Sequence, residues 1–449
     1  MVSMPFNDLR SFMEVLKANG QLVEINRPTR LDLEMPAVMQ ALMKAQGPAA
    51  LFTNLDHPSG IPVTGGIIGS LPRIALAMEC GEAEITRRMG EAIANPLKPV
   101  KVENGAFLEN VVTGDDIDLA SLPIPVHNAG DGGKYITGGA VVSRDPKTGR
   151  QNYSFNRLQV QGRRRFSIMM NFWRHIRRFL EAAEEAGEPL PVCVAIGLDP
   201  RVLIAAGVRV DYDEVEIAGA LKGSPVEVAS CATVPLEVPA QAEIVIEGCI
   251  PPGERVPEGP LAEFTGHYGE GYITPVIEVT AVCHRNNPIF QTIVPASFEH
   301  VYLGNVLPRE PMLMSFVSHV SPNVKAVHLT PYSGGFMAVI QLDKKNEGEP
   351  KNVALAALMT HVNIKIAVVV DPDVDIHDPA DILWAVSTRV DAARDIFTVP
   401  YAQGMENDPT TDSLGRHTKI AIDATLAGDK AHHYRRVVYP PVDLAQWLE

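Results

Sequence analysis

Residues 136–172 constrain the fold more than any other stretch of this chain. Three β-prone runs, at 136–143, 153–161 and 166–172, are separated only by the turn Asp145-Pro-Lys-Thr-Gly149 and a second turn at Gly162. Gaps this short leave no room for the crossover of a dozen or more residues that a parallel pair needs, so neighbouring strands must run antiparallel. A helix expected at 175–186, a strand at 192–196, a helix at 214–221 and strands at 242–249 and 276–284 extend this into one antiparallel β domain with inserted helices, over 115–305. The flanks read differently. Upstream, Leu9, Phe12, Met13 and Leu16 fall at helical spacing ahead of Gly20, and strand-like segments at 22–25, 50–52 and 63–68 alternate with a second helix at 32–45. Downstream, a β-branched strand at 366–370 precedes Asp378 and Pro379, a good N-cap and first helical residue for a helix to 390, and 419–423 reads as another strand. The expected organisation is α+β and multi-domain: an N-terminal α/β domain at 1–114, the β domain at 115–305 and a C-terminal α/β domain at 306–449.

Composition serves mainly to exclude. A formal charge of −15 argues against a nucleic-acid surface, which wants a basic face. No apolar run approaches the ~20 residues of a membrane span, and charges stand where a signal peptide would need its apolar core. The five cysteines (Cys80, Cys193, Cys231, Cys249 and Cys283) include no Cys-x-x-Cys pair and read as reduced thiols of a cytoplasmic protein. Gly65–Gly69 does not fit the dinucleotide fingerprint, and Tyr135 stands where a phosphate loop would need Ser or Thr. Asp371, Asp373 and Asp375 alternate as in a calcium loop but lack its glycine.

The chemistry-bearing residues are scattered. Pro257-Glu-Gly-Pro-Leu-Ala-Glu-Phe264 sets Glu258 and Glu263 in a segment broken by prolines and a glycine. Such a loop presents either two solvated acids or a carboxylate pair, one orienting a partner while the other moves a proton. Arg157 follows Asn152 by five residues, an odd spacing that would put them on opposite faces of an unbroken strand. Either Asn152 belongs to the preceding turn or the strand bulges between them. His175 opens a helix that also carries Arg174, Arg177 and Arg178, cations that oppose the macrodipole unless an anion sits nearby. Glu214 stands in the first turn of its own helix, and Lys365 interrupts an apolar strand.

Together, Asn152, Arg157, His175, Glu214, Glu258 and Glu263, with Lys365 ahead of Val368-Val-Val-Asp371, resemble the UbiD family of decarboxylases that use prenylated FMN. The likeness extends to Lys134-Tyr-Ile-Thr137, Glu214-Val-Glu-Ile-Ala-Gly219, Trp384-Ala385 and Lys419-Ile-Ala-Ile-Asp-Ala-Thr425, and covers the chain from about 8 to 426. The resemblance implies that the central domain is a split β-barrel of the flavin-reductase type that binds the cofactor, and that the C-terminal domain assembles a homo-oligomer, a dimer or a hexamer. It implies Asn152, His175 and Glu214 as ligands of Mn2+ or Mg2+, with Glu216 close enough to share that role, and K+ as a further ion. Ser154, Phe155, Asn156, Arg157, Arg174 and Lys365 would join Asn152 and His175 around the cofactor. Arg157, Glu258 and Glu263 would form the catalytic network, Glu263 delivering the proton. Arg174, where many relatives carry Gln, and Ala206–Gly207, where some place phosphate-binding serines, depart from the pattern. The expected activity is reversible, non-oxidative decarboxylation of an aromatic, heteroaromatic or α,β-unsaturated acid, with a flavin prenyltransferase supplying the cofactor. A flavin or metal carrier without this chemistry, and an FMN-dependent oxidoreductase, are the alternatives. Phe298-Glu-His300 and Arg309 are candidates to contact polar substituents of the substrate.

Overall fold

The computed structural model describes residues 5–428 together with 430, 433–437, 439, 440, 442 and 447. Its largest element is an antiparallel sheet of ten strands among the described residues. In chain order these are β1 (Asn110–Thr113), β2 (Tyr135–Ile136), β3 (Gly139–Arg144), β4 (Gln151–Phe155), β5 (Leu158–Gly162), β6 (Arg165–Ile168), β7 (Leu190–Ile196), β8 (Ile244–Ile250), β9 (Arg255–Glu258) and β10 (Tyr272–His284). The sheet order is β2-β5-β6-β10-β8-β7-β3-β4, with β1 and β9 also pairing to β10. One rim is therefore β2-β5 and the other β3-β4, yet β4 runs into β5 through Asn156 and Arg157 alone, and β2 into β3 through Thr137 and Gly138. Two-residue links reach between opposite rims only if the sheet curls until the rims are neighbours. That curl is the half-barrel. Gly138 has no room for a side chain, since a Cβ there would lie 2.7 Å from the Gln291 carbonyl oxygen.

The break at Asn156–Arg157 corrects the expected single strand over 153–161. Asn152 stands within β4 and Arg157 beyond its end, so neither a preceding turn nor a bulge is what separates their directions. The chain leaves one rim and joins the other.

Two helices flank the sheet near this seam: α1 (His175–Ala186), with the bounds its periodicity predicts, and α2 (Val215–Lys222), for which Glu214 is the N-cap. A smaller sheet joins segments Leu22–Ile25, Ala49–Phe52 and Val63–Gly65 to the distant pair Phe290–Gln291. Met35, Phe52 and Val63 from this layer share one buried core with Leu158, Phe166 and Ile277 of the barrel. All belong to the first of two compact units, which runs to Met314 and adds Leu329–Phe336 and Met405–Thr411.

The second unit comprises Ser315–His328, Met337–Gly404 and the residues from Asp412. Its five strands lie in the order Val324–Leu329, Met337–Leu342, Ile366–Val370, Arg416–Ala424, Ile396–Gln403. Val339, Val368 and Val370 form its buried centre with Ile382 of helix Pro379–Arg389, whose N-cap Asp378 accepts from the Ala380 amide as the sequence leads one to expect. Asp371 and Asp373 are ion-paired to Arg389 at 2.8 and 2.6 Å, which accounts for the acidic repeat without calcium. No helix among the described residues is long and apolar enough to cross a membrane.

Candidate active site

Arg157 sits where the chain crosses the seam, and both glutamates of the Pro257–Phe264 loop come to it. Its Nη2 donates to Glu258 Oε2 at 2.8 Å and its Nη1 to Glu263 Oε1 at 2.5 Å. β9 ends at Glu258, and the chain then turns at Gly259, whose φ of +97° lies in the region that glycine alone enters without strain. The backbone of Gly132 packs against that turn so closely that a Cβ would fall 2.2 Å from the Gly259 oxygen. The glycines at 130–133 thus make way for the loop. The glutamates are not equivalent. The Glu258 side chain is fully buried, whereas Glu263 keeps 17% exposure and lines the cavity. Burial raises the pKa of Glu263, the charge of Arg157 pulls it back and Glu258 pushes it up again. Burial also works against the Arg157 charge, but the hydrogen bond to Glu258 and the charges of both glutamates more than offset it and raise its pKa.

On the same strand as Asn152, the alternation of β4 puts Ser154 on the same face and Tyr153 on the other. Asn152 Nδ2 donates to Glu214 Oε1 at 2.7 Å, the Tyr153 amide donates to Glu214 Oε2 at 2.8 Å, and His175 Nδ1 lies 3.9 Å from Glu214 Oε1. The carboxylate that meets both is that of Glu214 rather than Glu216. All three side chains are buried, and Asn152 Oδ1 is left without a hydrogen-bond partner. A buried orphan oxygen beside a carboxylate and an imidazole is a donor set that suits a fairly hard divalent cation. It contains no third His, Cys, Asp or Glu, and among the described residues no such group of three converges. Ser154 Oγ donates to Asn156 Oδ1 at 2.9 Å, and Asn156 Nδ2 to the Met169 carbonyl at 2.8 Å, which fixes the seam residues.

A cavity of about 180 Å3 opens between the seam and a second wall. Phe155, Asn156, Arg157, Arg174 and Glu263 line one part of it, and Pro295, His300, Asn305 and Arg309 another. That second wall is irregular backbone: Ala296 has φ of +61°, Ser297 caps the helix Phe298–Val301, and a π-helical turn follows at Tyr302–Val306. Strained residues and π turns of this kind collect at functional sites. His300 Nδ1 accepts from the Ala296 amide at 3.3 Å, so its proton sits on Nε2. Burial, with the nearby Arg157 charge, drops its pKa to about 4 and keeps it neutral. Arg309 is hydrogen-bonded to the Asn305 carboxamide, and burial together with the charge of Arg174 lowers its pKa to about 9. Arg174 is lowered in the same way, by burial and then by Arg209. Two arginines held beside one another in a cavity make a wall that favours an anion.

Three family models match consecutive parts of the chain: the N-terminal domain of 3-octaprenyl-4-hydroxybenzoate carboxy-lyase at 13–93, its Rift-related domain at 98–298 and its C-terminal domain at 302–424. The chain belongs to the UbiD family. It is a carboxy-lyase, and its UbiD relatives align almost end to end. Anhydromevalonate phosphate decarboxylase of Methanothermobacter thermautotrophicus is 39% identical over 434 residues, covering 96% of this chain and 99% of the relative. Among solved structures, the UbiD-class enzyme HmfF from Pelotomaculum thermopropionicum in complex with FMN is similar at a TM-score of 0.93 and 39% identity, covering 98% of this chain and 100% of that one. An evolved dimeric form of HmfF in complex with prFMN matches at a TM-score of 0.89 and 37% identity, over 99% and 100% of the two chains.

Within this UbiD frame, most of the expected residues fall in three places. Arg157, Glu258 and Glu263 form one network, Asn152, His175 and Glu214 a second, and Phe155, Asn156 and Arg174 line the cavity. Lys365 precedes strand Ile366–Val370 of the second unit. Of the substrate-contact candidates, His300 and Arg309 reach the cavity, but Glu299 does not serve there. It is buried and accepts from the amides of Gly66 and Ile68 at 2.8 and 2.9 Å, tying the glycine segment of the N-terminal layer to the second wall. Tyr272, Met405 and Asn407 line the cavity unanticipated.

Proposed function

We propose that this enzyme carries out prenylated-FMN-dependent, reversible, non-oxidative decarboxylation of an aromatic, heteroaromatic or α,β-unsaturated acid, with Glu263 as proton donor. The observation that carries the reading is the Glu258–Arg157–Glu263 network facing a small cavity beside the Asn152–His175–Glu214 set. When bound, the cofactor supplies the electron sink that an sp2 carbon lacks as CO2 departs. Asn152, His175 and Glu214 would hold a Mn2+ or Mg2+ ion, the orphaned Asn152 oxygen being the observation that fits it. Arg157 orients the substrate carboxylate while Glu258, buried behind it, keeps the guanidinium charged and aimed. Once CO2 has left, Glu263 gives its proton to the carbon that carried it. Burial raises the Glu263 pKa against the pull of Arg157, a shift that favours the protonated form a donor needs. A flavin or metal carrier would have no use for two glutamates on one buried arginine. The oligomer is proposed to be a dimer or hexamer, in keeping with the dimeric form of HmfF.

The second wall narrows the substrate. Half-buried Arg309 beside Arg174, with neutral His300 as an N–H donor, fits an acid that carries a second anionic group. The relative named for anhydromevalonate phosphate acts on such a molecule. Protein co-expressed with a flavin prenyltransferase, assayed for CO2 release on mono-acids, diacids and phosphorylated acids, tests both points. The dianionic acids should turn over with the lower KM, and Arg309→Met should raise KM for them by roughly 10-fold or more. Equal rates on mono-acids, unchanged by that substitution, would remove the second anion from the reading. No CO2 from any acid would remove the reaction itself.

A further inference from the structure

The catalytic network and the anion-favouring wall leave one polar cluster at the cavity unused. Thr137 lines the cavity at the link between β2 and β3. Behind it stand two buried residues, His127 and Thr292. Thr292 Oγ1 lies 2.8 Å from His127 Nε2 and 3.1 Å from Thr137 Oγ1, and Thr137 Oγ1 lies 3.3 Å from the same Nε2. The three atoms close a triangle. Gly138 allows the approach, since a Cβ there would fall 2.8 Å from Thr292 Cα. His127 carries no charge, because burial pushes its pKa down to about 3. Its Nδ1 is buried and has no hydrogen-bond partner.

A neutral imidazole has one N–H, and the idle Nδ1 says which nitrogen holds it. A proton on Nδ1 would make a buried N–H without an acceptor, a rarer defect than an unused lone pair. The proton therefore belongs on Nε2, and the rest follows by counting hydrogens. Nε2–H donates to Thr292 Oγ1, the nearer hydroxyl. The Thr292 hydroxyl gives its hydrogen to Thr137 Oγ1. Thr137 then already accepts, and its own O–H is left to point into the cavity.

We propose that His127 is a positioning residue which, through Thr292, makes Thr137 a fixed hydrogen-bond donor to a carbonyl or carboxylate oxygen bound in the cavity. The inference rests on the cavity being the ligand site of the reading above. Such an oxygen has two sources, the carbonyls of a flavin ring and the acid. In either case the relay, rather than the ligand, removes the rotational freedom of the hydroxyl, which is preorganisation in the ligand's favour.

The test compares FMN binding, followed by flavin fluorescence, with KM and kcat of the prenylated-FMN holoenzyme, and records thermal unfolding alongside. Thr137→Val keeps the shape of the side chain and loses its hydroxyl. It should weaken FMN binding, or raise KM for the acid with kcat little changed, by roughly 5-fold or more. Thr137→Ser should stay near the wild type. A loss of FMN affinity assigns the acceptor to the flavin; a rise in KM alone assigns it to the acid. His127→Leu removes the N–H that starts the relay and should show its loss in the same measurement as Thr137→Val. His127→Gln, whose carboxamide N–H stands in for Nε2–H, should recover most of it, which a mere packing role would not predict. If His127→Leu does not fold, the Thr137 pair and His127→Gln against wild type still decide. Thr137→Val equal to wild type in both measurements overturns the proposal, as does a His127→Gln that folds like wild type yet binds no better than His127→Leu. Wild-type protein that binds FMN but releases no CO2 removes the reaction instead, and FMN binding then judges the relay by itself.

Discussion

At the scale of single residues, one arginine holds two glutamates in different surroundings. Glu258 and Glu263 look alike in sequence, five residues apart in one loop. In the fold, Glu258 is sealed behind Arg157 and Glu263 faces the cavity. The asymmetry has a consequence for stability as well as for rate. Glu263 is held above the usual carboxylate range by burial, against the pull of Arg157. As pH rises past about 4.3, the unfolded chain ionises at this position before the folded one does, so the folded state loses stability until its own pKa is passed. Glu263→Gln cannot ionise and escapes that loss. The variant should melt above the wild type at pH 8, and the difference should vanish below about pH 4; thermal unfolding at the two pH values checks this. The pairing itself was legible only as a pattern. Nothing in the spacing of Arg157 from the loop, about a hundred residues downstream, says that they meet, whereas the proline and glycine content of the loop did mark it as irregular. Asn407 carried no signal, because a lone asparagine in a turn-rich segment has no periodicity or charge pattern to read.

At the scale of elements, helix bounds came out close to what the residues suggest, while strand bounds erred both in the N-terminal sheet, where the run expected over 63–68 ends at Gly65, and where the large sheet curls. Helix α1 is a case of the first kind. The run at 153–161 is one of the second: its composition is β-prone throughout, and only the pairing of β4 with β3, and of β5 with β2 and β6, reveals the crossing at Asn156–Arg157. Curl is a property of the closed hydrogen-bond order, which local propensity does not encode. The thiols make the same point. Scattered in sequence, Cys193 and Cys283 are both buried on strands of the barrel, with Cys283 Sγ near Glu247 Oε1 at 3.5 Å. Glu299 is an element-scale residue, a buried carboxylate that joins the segment Gly66–Ile68 to the wall carrying His300. Glu299→Ala would leave two buried amides unsatisfied and should cost about 2–4 kcal/mol in denaturant unfolding, with Glu299→Gln costing less. Loss of activity without loss of stability in these variants would instead place Glu299 in the chemistry.

At the scale of the molecule, a chain with net charge −15 keeps a cluster of arginines around one small cavity. The separation is what lets an acidic protein bind acids, since long-range charge sets solubility and steering while the pocket sets recognition. The half-barrel that carries one side of the pocket was legible in outline from strand spacing and in kind from the family pattern. That the segment Met405–Thr411 groups with the first unit was not, because unit membership depends on contacts rather than on order along the chain. The central claim is that Glu263 delivers the proton. It is tested most directly by Glu263→Gln produced with a co-expressed flavin prenyltransferase, following cofactor absorbance and CO2 release on an acid that the wild type turns over. Cofactor retained with turnover abolished is the predicted result; CO2 release at the wild-type rate would contradict the assignment.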